Sequence, residues 1–221
     1  MLGAMAICLT IFMYICARPL SERLFRIQPI LIAAAGVGLI WWLFSGDWQS
    51  YAKGGSYISF WLGPATVALA VPLAKQLRQL ARVWRAVAAG VAAGSAASML
   101  SAWMLMKLLD GGETLTRSIL SKSVTTPISV ELTAGIGGNP SLAGLFTALT
   151  GIVGISIARP LLKGAGITDD WALGIAIGTS SHAIGTAGLL RHSQEQAAAS
   201  SLAMILSGII TSVYFIPLQY L

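Results

Sequence analysis

Apolar runs separated by short polar or basic stretches make up most of the chain, at about residues 1–17, 27–44, 60–77, 83–108, 142–158, 171–190 and 197–218. Crossing a bilayer takes roughly 20 helical residues, so the runs read as spans. An eighth run, SILSKSVTTPISVELTAGIGGNP at 118–140, differs, because a lysine, a glutamate, hydroxyls, a proline and glycines interrupt it. The pattern predicts an all-α polytopic integral membrane protein, a single transmembrane domain over residues 1–221. It has about eight hydrophobic helical segments, two or more of them broken or re-entrant.

In the third segment, Gly63-Pro64 and Pro72 predict a helix start and a kink, since proline removes a backbone hydrogen bond. In the 118–140 run a helical projection puts Ser118, Lys122, Thr125 and Ser129 on one stripe, with Ser121 and Thr126 beside it and Glu131 elsewhere. Pro127 argues against an uninterrupted helix, and Gly135, Gly137, Gly138 and Pro140 end it. In the seventh segment, GTSSHAIGTAG, Thr179, His182 and Thr186 share a face at i, i+3 and i+7, while Gly178, Gly185 and Gly188 loosen the backbone. Two weakened polar segments in the second half of a membrane protein are the pattern of a midplane site. Small residues at four-residue intervals, Gly90, Gly94, Ser98 and Ala102, and then Gly144 with Ala148 and Thr150 with Gly154, predict close helix packing. Ser200, Ala203, Ser207 and Thr211 lie along one side of the last segment.

Composition agrees about the solvent: 56% of residues are hydrophobic and 10% charged, against roughly 25% charged in soluble domains, and mean hydropathy is +0.77. The net charge of +6 is a topology signal and not a nucleic-acid footprint, because the basic residues gather in two places. Arg18, Arg23 and Arg26 make a loop at 18–26, and Lys75, Arg78, Arg82 and Arg85 one at 75–85. Basic loops face the cytoplasm, which predicts an N-terminus outside and an outer loop at 46–59, with Trp41, Trp42 and Trp48 as an interfacial belt. The first 18 residues lack a basic n-region and a small-residue cleavage site, so they read as a span and not a signal peptide. Cys8 and Cys16 fit no metal motif and read as small buried residues.

The candidate chemistry is that of binding. The Lys122 ammonium could hold an anion, or it could snorkel to the interface. His182 could carry a proton or serve as a neutral hydrogen-bonded residue; His192, beside Arg191 and Glu195, reads as solvated. Ser181 and His182 are neighbours without a nucleophile elbow, and no phosphate loop or metal spacing occurs. No enzyme activity, metal or cofactor is predicted. Hydroxyls and free N–H groups at half-helix ends suit a small anion, while Glu131 would need a partner such as Lys122 or Arg117.

KSVTTPI at 122–128, Gly137-Gly138 with Pro140, and GTSSHAIGTA at 178–187 together resemble the LrgB/CidB membrane-protein family, over nearly the whole chain. Relatives of that family include the C-terminal part of the plastid glycolate/glycerate transporter. The resemblance implies a cell (inner or plasma) membrane carrier for small monocarboxylates such as pyruvate or glycolate. With the carrier as the leading reading, it brings as the alternative an antiholin-like regulator of murein hydrolase activity and lysis, acting by membrane assembly. A homo-oligomer and an LrgA/CidA-like membrane partner are expected with it. Combined with the residue reading, the substrate site would be Lys122, Ser123, Thr125 and Thr126 facing Thr179, Ser181, His182 and Thr186. Pro64, Pro72, Pro127, Gly137, Gly138, Gly178 and Gly185 would break the helices. The chain departs from the family pattern at Asn139, Ser180 and Gln196, the last where an acid is common.

Overall fold

The computed structural model describes residues 2–23, 29–61, 64, 67, 70–189 and 193–220, the side chains of 22, 23 and 70–82 not among them. These residues form nine helices and no strand: α1 (Leu2–Arg23), α2 (Pro29–Phe44), α3 (Trp48–Phe60), α4 (Ala70–Leu108), α5 (Glu113–Ile119), α6 (Thr126–Gly135), α7 (Pro140–Gly164), α8 (Asp170–Leu189) and α9 (Gln194–Leu218). Four are long and apolar enough to cross a membrane: α1 over Leu2–Ser21, α4 over Val83–Leu108, α7 and α9. The apolar α2 is shorter, with 16 residues. Among the described residues fewer spans qualify than the eight apolar runs suggest, because the 118–140 run is divided, α8 is diluted by hydroxyls, glycines and His182, and part of the 60–77 run lies outside those residues.

The chain forms two compact units, residues 1–65 and 66–221. In the first, α2 and α3 both pack on α1. Thr10 Oγ1 meets the Tyr51 hydroxyl at 2.9 Å, and Asp47 caps α3 by accepting from the N–H groups of Gln49 and Ser50 at 3.1 Å. The expected outer loop at 46–59 is therefore mostly helix, since one capping aspartate satisfies the first free N–H groups. Trp42 and Trp48 are exposed, as a belt requires, but Trp41 is buried and donates Nε1–H to the Asp47 carbonyl at 2.9 Å. Both cysteines are exposed and not buried. Ala6 and Ala17 take the buried places on α1 instead.

The second unit is built on α9, which packs most extensively on α8 and also on α4; α8 in turn packs on α7. Val87 and Val91 of α4 meet Leu202 and Ala203 of α9, with Trp171 and Ile175 against them. The expected loop at 75–85 is not a loop, because α4 runs unbroken for 39 residues. Leu73 to Ala89 contains no glycine or proline and is rich in Ala, Leu, Arg and Gln, strong helix formers that carry the basic cluster on a helix. The other basic stretch is likewise helical up to Arg23, and Arg26 lies outside the described residues. Pro72 is the third residue of α4, in the first turn, where a missing N–H costs nothing. Pro64 is helical, whereas Gly63, Arg191 and His192 lie outside the described residues.

Candidate functional site

Between α5 and α6 the chain leaves the helix for residues 120–125. Pro127 has no N–H to continue a ladder from α5, and the bonds there tighten to Lys122 N to Ile119 O (3.1 Å) and Val124 N to Ser121 O (3.2 Å). Thr125 is extended, with φ −62° and ψ 147°, and the helix restarts with Ser129 N on Thr125 O at 2.9 Å. Pro127 then sits in the first turn of α6, where it is tolerated. Because the chain is not one helix here, the projected stripe of Ser118, Lys122, Thr125 and Ser129 does not form. Ser118 donates to Thr114 O (2.6 Å) and accepts from Asn139 N (2.8 Å), tying α5 to the start of α7.

What forms instead is a buried hydroxyl cluster. Ser121 Oγ lies 2.7 Å from Ser129 Oγ and 2.9 Å from Thr133 Oγ1, and Thr147 Oγ1 of α7 donates to Ser129 Oγ at 2.9 Å. The loop after α6 closes tightly on it. Gly137 has φ +73°, and a Cβ on Gly138 would come within 2.6 Å of Thr133 Cγ2, so both positions require glycine. Arg117 Nη1–H donates to Ile136 O at 2.7 Å and the same guanidinium pairs with Glu113. Glu131, expected to need Arg117 or Lys122, is exposed instead and pairs with neither. Asn139 caps α7 by accepting from Ser141 N at 2.9 Å and Leu142 N at 3.3 Å.

The second interruption is a single residue. His182, inside α8, has φ 43° and ψ −137°, a region glycine alone adopts readily. Its ring is buried, and Nε2–H donates to the Thr147 carbonyl at 2.9 Å; the carbonyl has no proton to give, which fixes the tautomer. Thr147 thus links the hydroxyl cluster, through its own hydroxyl, to the kink of α8, through its carbonyl. Gly151 leaves room for the ring, since a Cβ there would lie 2.8 Å from Cε1. The kink turns the three expected face-mates apart. Thr179 lies against Gly94 of α4, His182 against α7, and Thr186 donates to His182 O (2.9 Å) and bonds Ser200 of α9 (2.7 Å). Ser181 packs into the gap left by Gly154 and lies 3.1 Å from Ser180 Oγ, while the His182 ring is engaged with Thr147. Gly178 abuts the Ser200 backbone and Gly185 abuts Ser181 and Ile177, so these glycines allow close packing and do not loosen the helix.

One cavity in this unit carries a cation. It holds about 360 Å³ and is lined by Ser98, Lys122, Ser123, Leu149, Thr150, Val153, Gly154 and Ser180. Lys122 Nζ donates to Ser98 Oγ at 2.7 Å, and Ser98 Oγ is 2.6 Å from Ser123 Oγ. Among the described residues the sole ion pair is Arg117 with Glu113, so no carboxylate neutralises Lys122. Of the predicted binding residues, Lys122 and Ser123 line the cavity; Thr125, Thr126, Thr179, Ser181, His182 and Thr186 do not. Thr125 Oγ1 is buried without a partner among the described residues. Sequence reasoning missed Ser98, which sits in a small-residue ladder, and Thr150, for the same reason; Ser180 drew notice only as a departure from the family pattern. A groove of about 510 Å³ in the first unit is apolar apart from Thr10, Tyr14, Trp48 and Tyr51, and Thr10 and Tyr51 bond each other.

At one end of α8, Gln196 accepts from Arg159 Nη2–H (3.2 Å) and donates to Asp170 Oδ1 (2.7 Å), while Ser193 Oγ donates to Oδ2 (2.9 Å). Those hydrogen bonds from Gln196 and Ser193 hold the Asp170 carboxyl below the usual carboxylate range. A carboxamide can both accept from the arginine and donate to the aspartate, which a carboxylate at 196 could not do.

These features define an all-helical membrane protein with a cation-bearing, hydroxyl-lined cavity beside an interrupted helix. The family model described as LrgB-like matches residues 10–220, and the chain belongs to that family. It is 32% identical over 212 residues to the uncharacterized protein YwbG of Bacillus subtilis (strain 168), covering 95% of this chain and 94% of the relative. It is 30% identical over 192 residues to the antiholin-like protein LrgB of the same organism, covering 86% and 83%. With the holin-like protein CidB of Staphylococcus aureus (strain N315) it shares 30% over 209 residues, 94% and 91% of the two chains. No solved structure matches.

Proposed function

We propose that the chain acts in the cell membrane as a holin- or antiholin-like protein in the control of murein hydrolase activity and lysis. The support is the family match over residues 10–220 together with the names of relatives at 30% identity. Assembly with further copies, or with an LrgA/CidA-like partner, belongs to this reading. So does an N-terminus outside, which rests on the two basic clusters.

One observation favours a second reading, a carrier for small monocarboxylates of the pyruvate or glycolate type. Lys122 stands at a cavity with hydroxyls around it and no carboxylate paired to it. A half-buried cation in an apolar bundle, with no counter-ion among the described residues, favours an anion arriving from outside. On this reading the ammonium and hydroxyls replace the carboxylate's water, and motion at the two interruptions exposes the cavity to either side. Proteoliposomes carrying the chain and its partner, supplied with radiolabelled pyruvate or glycolate, separate the two. Saturable uptake that falls by about tenfold or more in Lys122→Ala supports the carrier; absence of uptake, with lysis phenotypes surviving Lys122→Ala, leaves the regulator.

A further inference from the structure

Counting hydrogens at the cavity leads to a residue outside both interruptions. An ammonium has three hydrogens and no lone pair, and each serine hydroxyl has one hydrogen. Lys122 spends one on Ser98 Oγ, 2.7 Å away. The Ser98 and Ser123 hydroxyls, 2.6 Å apart, spend one between them whichever donates. The three groups therefore start with five hydrogens and use two on each other. Two ammonium hydrogens and one hydroxyl hydrogen are left over, and no other hydrogen bond engages the three side chains among the described residues. Of the other lining residues, Leu149, Val153 and Gly154 have no side-chain acceptor, the hydrogen of Ser180 is committed to the Ala176 carbonyl at 2.8 Å, and Thr150 adds one more hydroxyl. The cavity thus presents one positive charge and spare donors.

We infer that Ser98, on α4, is the positioning residue that makes this cavity discriminate small monoanions from neutral solutes of the same shape. Its oxygen is the common partner of Lys122 and Ser123, so it holds both donors on one wall and prevents the lysine from swinging away to the interface. One ammonium balances one negative charge, which sets the class as monoanions. The inference rests on the carboxylate-binding reading above and adds to it a residue from the small-residue ladder of α4.

The test uses the full chain in lipid nanodiscs with radiolabelled pyruvate, displaced by unlabelled pyruvate or by pyruvamide, its neutral amide. In the wild type, pyruvate is expected to displace the label at least about tenfold better than pyruvamide. Ser98→Ala keeps the helix, since alanine is the best helix former, and is expected to cut that ratio by about tenfold; Ser98→Thr, which retains the oxygen, restores it. Ser123→Ala leaves the Lys122 bond to Ser98 in place and is expected to lower the ratio less. If Ser98→Ala weakens both ligands equally, or leaves the ratio unchanged, the role assigned to Ser98 is wrong while anion binding stands. If the wild type binds no pyruvate, both fall.

Discussion

The two interruptions of the second unit are alike in sequence and unlike in structure. Residues 120–125 leave the helix for six positions and keep polar groups unspent: Lys122 has one hydroxyl partner, and Thr125 Oγ1 is buried with none. The kink in α8 is confined to His182, whose Nε2–H is engaged by the Thr147 carbonyl, and the neighbouring Thr186 hydroxyl is engaged by Ser200. A break that satisfies itself sets geometry, whereas a break that leaves donors over has something to offer a ligand. On the carrier reading proposed above, the difference places binding at the first and shape at the second.

The largest effect expected from disturbing this arrangement is at Gly178. A Cβ there would collide with the Ser200 backbone, which cannot turn aside as a side chain can. Gly178→Ala should destabilise the fold by about 3 kcal/mol, read as a drop in melting temperature in detergent; an unchanged melt would mean that α8 and α9 are not pressed together. A smaller effect is expected at Thr125. Val is nearly isosteric, and removing a buried hydroxyl without a partner should leave stability unchanged or raise it by about 1 kcal/mol. A loss of more than that in Thr125→Val would show that the hydroxyl is engaged, and the contrast between the two breaks would weaken.

Much of this was legible in the chain because it depends on local chemistry. Pro127 and the Gly137-Gly138 pair mark the ends of helices whatever surrounds them, and the family motifs lie on these residues. The helical projection of 118–129 failed for the same reason, since it assumed continuity through the segment that the proline ends. Ser98 was illegible, because a serine in a ladder of glycine and alanine reads as packing; its meaning depends on Lys122, 24 residues away, folding back onto it. The basic run at 75–85 was read by charge alone, and its helix-forming residues outweighed that signal.

The central claim, that binding resides in the first interruption and shape in the second, is tested most directly by measuring pyruvate binding and melting temperature side by side in Lys122→Met and His182→Ala. The account predicts that Lys122→Met abolishes binding with little change in melting, while His182→Ala lowers melting and retains binding in the fraction that stays folded. Binding retained in Lys122→Met and lost in well-folded His182→Ala would contradict it.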